Sequence, residues 1–147
     1  MHLPFLTKVF KGHDILLVPI LVGNLTKAKE AEYGKILAPY LDDEETLFVI
    51  STDFCHWGED FDYMPHNEKV FGNQIWKSIE ALDQQGIALI EEQNQKTFFD
   101  YCEKSGNTIC GRHPIGVLLG ALAANKTIET KTKFVQYSQS EKVTSAD

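Results

Sequence analysis

The sequence predicts an α/β fold: a mostly parallel sheet with flanking helices. Three observations carry that expectation. ILLVPILV at residues 15–22 is a continuous aliphatic run, as in a strand buried on both faces. TLFVIST at residues 46–52 is a second such run. The segment between them has helical spacing, so strand, helix and strand fall within ~40 residues. That order reads as a βαβ unit with a right-handed crossover and parallel strands.

Each element has a local reason. Pro19 weakens the first strand, because it cannot donate to a ladder and favours an edge or a bulge. Gly23 and Asn24 close that run, and Thr26 can cap a helix of about sixteen residues ending near Leu41. The acidic stretch 42–45 is a solvated turn, and residues 53–66 (DFCHWGEDFDYMPH) form a loop. Asn67 can cap a helix running to about Asp83, with Gly86 interrupting before a short helix, IALIEE. A further helix covers about Thr97 to Lys104, ended by Ser105-Gly106-Asn107. Cys102 sits beside Phe98 and Phe99 on it and reads as core. Pro114 suits the first turn of an apolar helix, on which Gly116 and Gly120 are spaced for packing. Residues 127–139 read as a last strand, and the polar tail as frayed.

Composition bounds the function. The chain has 147 residues with 14 Lys plus Arg against 21 Asp plus Glu, a net charge of −7. That balance, with no basic cluster, argues against nucleic acid as a partner. At 43% hydrophobic with 9 Phe, 5 Tyr and 2 Trp, the chain is not disordered. A domain of this length buries ~70% of its unfolded surface, so it needs no disulfide. No apolar stretch approaches a membrane span, and the first residues lack the plan of a secretory signal. The three cysteines then read as reduced thiols in the cytoplasm.

Reactive groups concentrate in two places, Asp53-Phe54-Cys55-His56-Trp57-Gly58 and Cys110-Gly111-Arg112-His113-Pro114. The first follows a predicted parallel strand, at the edge where sites collect in open sheets. The second precedes a helix N-terminus, which favours an anion or a thiolate. Cys110, Arg112 and His113 could form a cluster; equally, Cys110 could be packed, Arg112 ion-paired and His113 a cap. Asp53 and Cys55 share a face on an ideal strand, whereas a bend would return Asp53 towards His56. A carboxylate–imidazole pair serves catalysis or metal binding, though a His beside Trp also suits a structural role. A closed zinc site using Cys55 or His56 with Cys110 and His113 lacks a second close ligand pair. A Cys–His hydrolase lacks an oxyanion-hole motif. His2, His13 and His66 read as surface or loop residues.

These segments resemble the Memo family (mediator of receptor-tyrosine-kinase-driven cell motility). The matching stretches are residues 1–4 (MHLP), 18–23 (VPILVG), 48–58 (FVISTDFCHWG), 78–83 (SIEALD) and 107–119 (NTICGRHPIGVLL). Their order and spacing agree from the first residue to about Ser140. The resemblance implies a fold similar to class III extradiol dioxygenases, and a cytosolic signalling protein linked to cell migration and the cytoskeleton. It implies phosphorylated receptors or signalling proteins as partners. It also implies a pocket with metal-dependent redox activity whose catalytic residues are Asp53, His56 and Cys110, with His56 and Cys110 as ligands of copper or iron and Asp53 beside them. Family members are about twice this length, so residues 1–140 are expected to be a partial Memo-like domain with a divergent tail at 141–147. The expected origin is a truncated product, an isoform or a partial gene model, with exposed sheet edges. Two ligands fall short of the three typical of catalytic metal sites, so the alternatives are a non-enzymatic adaptor or an inactive isoform.

Overall fold

The computed structural model describes residues 2–145; Met1, which heads the resemblance, and Ala146 and Asp147 of the tail lie outside them. These residues form helices α1 (Leu3–Val9), α2 (Lys27–Leu37), α3 (Glu68–Phe71), α4 (Ile75–Glu91), α5 (Gln95–Ser105) and α6 (Arg112–Ala124). Short 3₁₀ turns occupy Ala38–Asp42 and Glu59–Phe61.

The expected α/β fold with a mostly parallel sheet is not what forms. The described residues are 49% helical and 1% strand, with no sheet. The strand content is one isolated bridge between Gly58 and Tyr63. Residues 15–22, 46–52 and 127–139 are irregular. The physical reason lies in the first two runs themselves. A strand is stable only with a laterally paired neighbour, yet residues 15–22 have no paired backbone group among the described residues. Leu16 and Leu21 are 98% and 100% exposed, so the run is apolar without being buried. Without a sheet, the likeness to the dioxygenase fold fails as well.

The helices follow the sequence more closely. Thr26 caps α2 by accepting from the Lys29 backbone N–H at 3.3 Å. The helix then tightens into the 3₁₀ turn around Pro39. The break expected at Gly86 falls instead at Gly72, whose φ of 54° suits glycine. Gly86 lies inside α4 because α5 presses against it: a Cβ there would sit 3.0 Å from the Tyr101 ring. Gly106, with φ of 63°, ends α5. The expected frayed tail is anchored where it meets α4: the Trp76 N–H, unpaired at the start of that helix, donates to Val143 C=O at 3.0 Å. No helix among the described residues is long and apolar enough to cross a membrane.

The core gathers Phe98 and Cys102 from α5, Ile115 and Leu119 from α6, and Ile109 just before α6. Ile50, Phe54, Leu89, Ile90, Tyr101 and Leu122 pack onto it. Cys102 is therefore core, as its place beside Phe98 predicts, and burial pushes its thiol up to about 11.

The most extensive helix pairing joins α2 to α6. It buries Glu30, Gly34 and Ala38 at i, i+4 and i+8, while Ile36 stays exposed. Gly34 meets the α6 backbone so closely that a Cβ would lie 2.5 Å from the Gly120 carbonyl carbon. Backbone cannot step aside as a side-chain tip can. We expect Gly34→Ala to cost about 2 kcal/mol net of the better helix propensity of Ala, read as a lower urea midpoint at unchanged slope. An unchanged midpoint would mean that the crossing is looser.

Candidate functional site

The site is built where residues 52–56 lie against residues 108–111. Gly111 permits the approach, because a Cβ there would overlap the Thr52 side chain and lie 2.9 Å from Ser51 C=O. The contact is then laced by hydrogen bonds. Cys110 N–H donates to Asp53 C=O at 3.2 Å. Asp53 N–H donates to Cys110 Sγ at 3.1 Å, and Gly111 N–H donates to Thr52 Oγ1 at 2.8 Å. One turn further on, Thr108 Oγ1 accepts from His56 N–H at 2.7 Å and donates to His56 C=O at 2.8 Å. One threonine hydroxyl thus satisfies both backbone groups of His56.

This lacing brings Asp53, His56 and Cys110 together. Each offers a ligand atom, and the three atoms lie within 4.8 Å of one another. Asp53 and Cys110 are exposed, and His56 is half-buried against Phe61 at 5.0 Å between ring centroids. His56 Nε2 is buried with no hydrogen-bond partner among the described residues. A buried imidazole nitrogen without a partner calls for a ligand or a donor.

Other residues singled out in the sequence go elsewhere. The Cys55 thiol is pushed up to about 11 by burial, reinforced by the Asp83 carboxylate. Cys55 is not among the three converging donors, and with no strand at residues 46–52 neither the straight nor the bent strand geometry applies. Arg112 turns to Glu103 (3.0 Å) and to His113 Nε2 (3.3 Å). His113 is buried and pairs through Nδ1 with Glu30 at 2.7 Å. Since Nε2 accepts from Arg112, Nδ1 carries the proton and donates to the carboxylate. The cluster of Cys110 with Arg112 and His113, and any zinc site containing His113, therefore do not form.

Two buried carboxylates escaped the sequence reading. Glu30 sits under Gly116, where no Cβ fits. Burial raises its pKa, against the lowering effect of His113. Asp83 accepts from Cys55 N–H (3.2 Å), Asn107 Nδ2 (3.0 Å) and Tyr137 OH (2.9 Å). It thereby ties α4 to the site loop, to the approach to α6 and to the chain beyond α6. Burial raises its pKa too, opposed by those hydrogen bonds. The available signal was spacing: Asp83 continues the buried stripe Ile75, Ile79 at i+4.

Comparison with known proteins adds a consistent result. A family model described as Memo-like protein matches residues 1–147. The chain is 47% identical to Protein MEMO1 of Danio rerio over 144 residues, covering 95% of this chain and 48% of that protein. It is 43% identical to Protein MEMO1 of Homo sapiens, with the same coverage. Against Protein memo-1 homolog of Caenorhabditis elegans it is 42% identical, covering 99% of this chain and 42% of that protein. The chain spans about half the length of the curated relatives it matches.

Proposed function

The chain belongs to the Memo family, and on that premise we propose that it is a cytoplasmic signalling protein of cell migration with a pocket for one copper or iron ion. His56 and Cys110 are the ligands, and Asp53 stands beside them. The observation that carries this reading is the convergence of the three donor atoms within 4.8 Å. The unpartnered His56 Nε2 fits it, as does the pairing of a thiolate with an imidazole, which suits copper or iron. When bound, such an ion would supply one-electron redox chemistry.

The chain's own contribution is positioning. The Asp53 N–H donating to Cys110 Sγ at 3.1 Å holds the sulfur in place. Thr108 fixes the His56 backbone, so the imidazole is presented from a braced turn. The exposed Asp53 carboxylate adds negative charge next to a cation.

Metal titration followed by mass spectrometry of the intact protein tests the reading. We expect one ion per chain for the wild type and loss of binding in His56→Ala and Cys110→Ser. Asp53→Asn should weaken binding ~10–100-fold, the range for groups that orient ligands. Identical stoichiometry in wild type, His56→Ala and Cys110→Ser would sink the proposal.

A further inference from the structure

We propose that the groove beside Trp76 is a binding site for an arginine side chain presented by a partner peptide. The groove lies where α4 meets the chain beyond α6 and encloses about 350 Å³. Trp76 and Glu80 face it from α4, one turn apart. Tyr137, Gln139, Glu141 and Lys142 face it from the later segment.

Hydrogen bonds fix the walls and their polarity together. Gln139 Nε2 donates to Trp76 C=O at 2.9 Å and to Tyr137 OH at 2.8 Å. Tyr137 OH in turn donates to Asp83 at 2.9 Å, on the next turn of α4. Both hydrogens of the Gln139 amide are thus used, and its oxygen stays an acceptor. Glu80 and Glu141 are acceptors too, and neither has an ion-pair partner among the described residues.

The indole already carries cations. Lys142 Nζ stands 5.0 Å from the centre of the Trp76 ring, and Lys77 Nζ stands 5.3 Å from it. Such contacts are attractive through the negative face of the ring. Lys142 is exposed, and no ion pair among the described residues holds it there, so another cation can take its place.

Acceptors, an aromatic wall and unbalanced negative charge define the occupant. A guanidinium has five donors and no acceptor, stacks flat on an indole and forks onto a carboxylate. An ammonium makes the ring contact without the fork. A trimethylammonium donates no hydrogen bond and would leave the carboxylates unpaired. Free arginine would bring its own carboxylate against Glu80 and Glu141, whereas an arginine within a peptide does not. The chain's net charge of −7 also draws a basic partner.

The test titrates the full chain, isotope-labelled in tryptophan, with the capped tripeptide glycyl-arginyl-glycine amide, read by the indole N–H signals in NMR. Trp57, whose Nε1 donates to Pro65 C=O at 3.1 Å, is the internal reference. We expect the Trp76 signal to shift to saturation and the Trp57 signal to stay. Glu80→Gln combined with Glu141→Gln should weaken binding by ~10-fold. Lys142→Gln removes the internal competitor and should strengthen binding by ~2–5-fold. The helical circular dichroism of these variants should match the wild type. A Trp76 signal that does not move would overturn the proposal. So would equal binding of the lysyl or trimethyl-lysyl tripeptide or of free arginine, indifference to the double substitution, or weaker binding in Lys142→Gln.

Discussion

Replacing His113 by Ala should cost about 3–5 kcal/mol of stability at neutral pH, the range for removing one partner of a buried pair. The side chains of His113 and Glu30 are 7% and 2% exposed. The substitution leaves the Glu30 carboxylate sealed between α2 and α6, with Gln95 Nε2 at 3.4 Å as its remaining side-chain hydrogen-bond partner among the described residues. The loss should depend on pH in a definite direction. Burial raises the Glu30 pKa above its ordinary 4.5, and the His113 hydrogen bond opposes that rise. Without His113 the folded pKa climbs further. A carboxyl with a raised folded pKa holds its proton more tightly folded than unfolded. Its stabilising contribution is fully present below the unfolded value and is lost as pH rises through the folded one. The deficit of His113→Ala should therefore be smaller near about pH 4, where the cost of the lost imidazole volume remains, and grow towards about pH 7. Urea midpoints at both pH values check this. Equal deficits at both would mean that the carboxylate finds another partner or water.

Asp83→Ala should be nearly as costly, about 3 kcal/mol, because it strips a shared acceptor from three donors at once. Cys55 N–H and Tyr137 OH lose their recorded acceptor, and Asn107 Nδ2 keeps only Tyr101 OH at 2.8 Å. Asp83→Asn separates shape from charge. It can keep an oxygen towards Cys55 and Asn107 and offers Tyr137 a donor instead of an acceptor, so it should recover most of the loss. The second readout is the site. Asp83 holds the backbone immediately before His56, so Asp83→Ala should weaken metal binding while Asp83→Asn leaves it nearly intact. Normal binding in a destabilised Asp83→Ala protein would show that the Thr108 brace alone positions His56.

The helices were legible because their signals are local. Thr26 caps α2, Gly106 stops α5, and Pro114 sits in the first turn of α6. Spacing alone left several groupings of the two reactive segments open; the trio Asp53, His56 and Cys110 came from the family resemblance, and their donor atoms lie within 4.8 Å of one another. The sheet was not legible. A run such as residues 15–22 states that its side chains want burial on both faces, but not what covers them. Pairing is non-local, and among the described residues the runs meet no partner strand. The buried carboxylates were hidden for a related reason. Glu30 and Asp83 are costly to bury, so a pattern reader assigns them to solvent. Gly116 and the acceptor role of Asp83 reveal their places only when the neighbouring helices are present.

The two-segment construction of the donor cluster has a consequence for folding. Asp53 and Cys110 are 57 residues apart in sequence. An ion held by His56 and Cys110 would act as a clip on nearly that whole loop, present in the folded chain and absent in the unfolded one. Closing such a loop is an entropic cost that rises only slowly with length. Binding would then appear as stability, about 2.7 kcal/mol at a free ion concentration one hundred times Kd. The melting temperature of the wild type should rise with added metal, and that of Cys110→Ser should not.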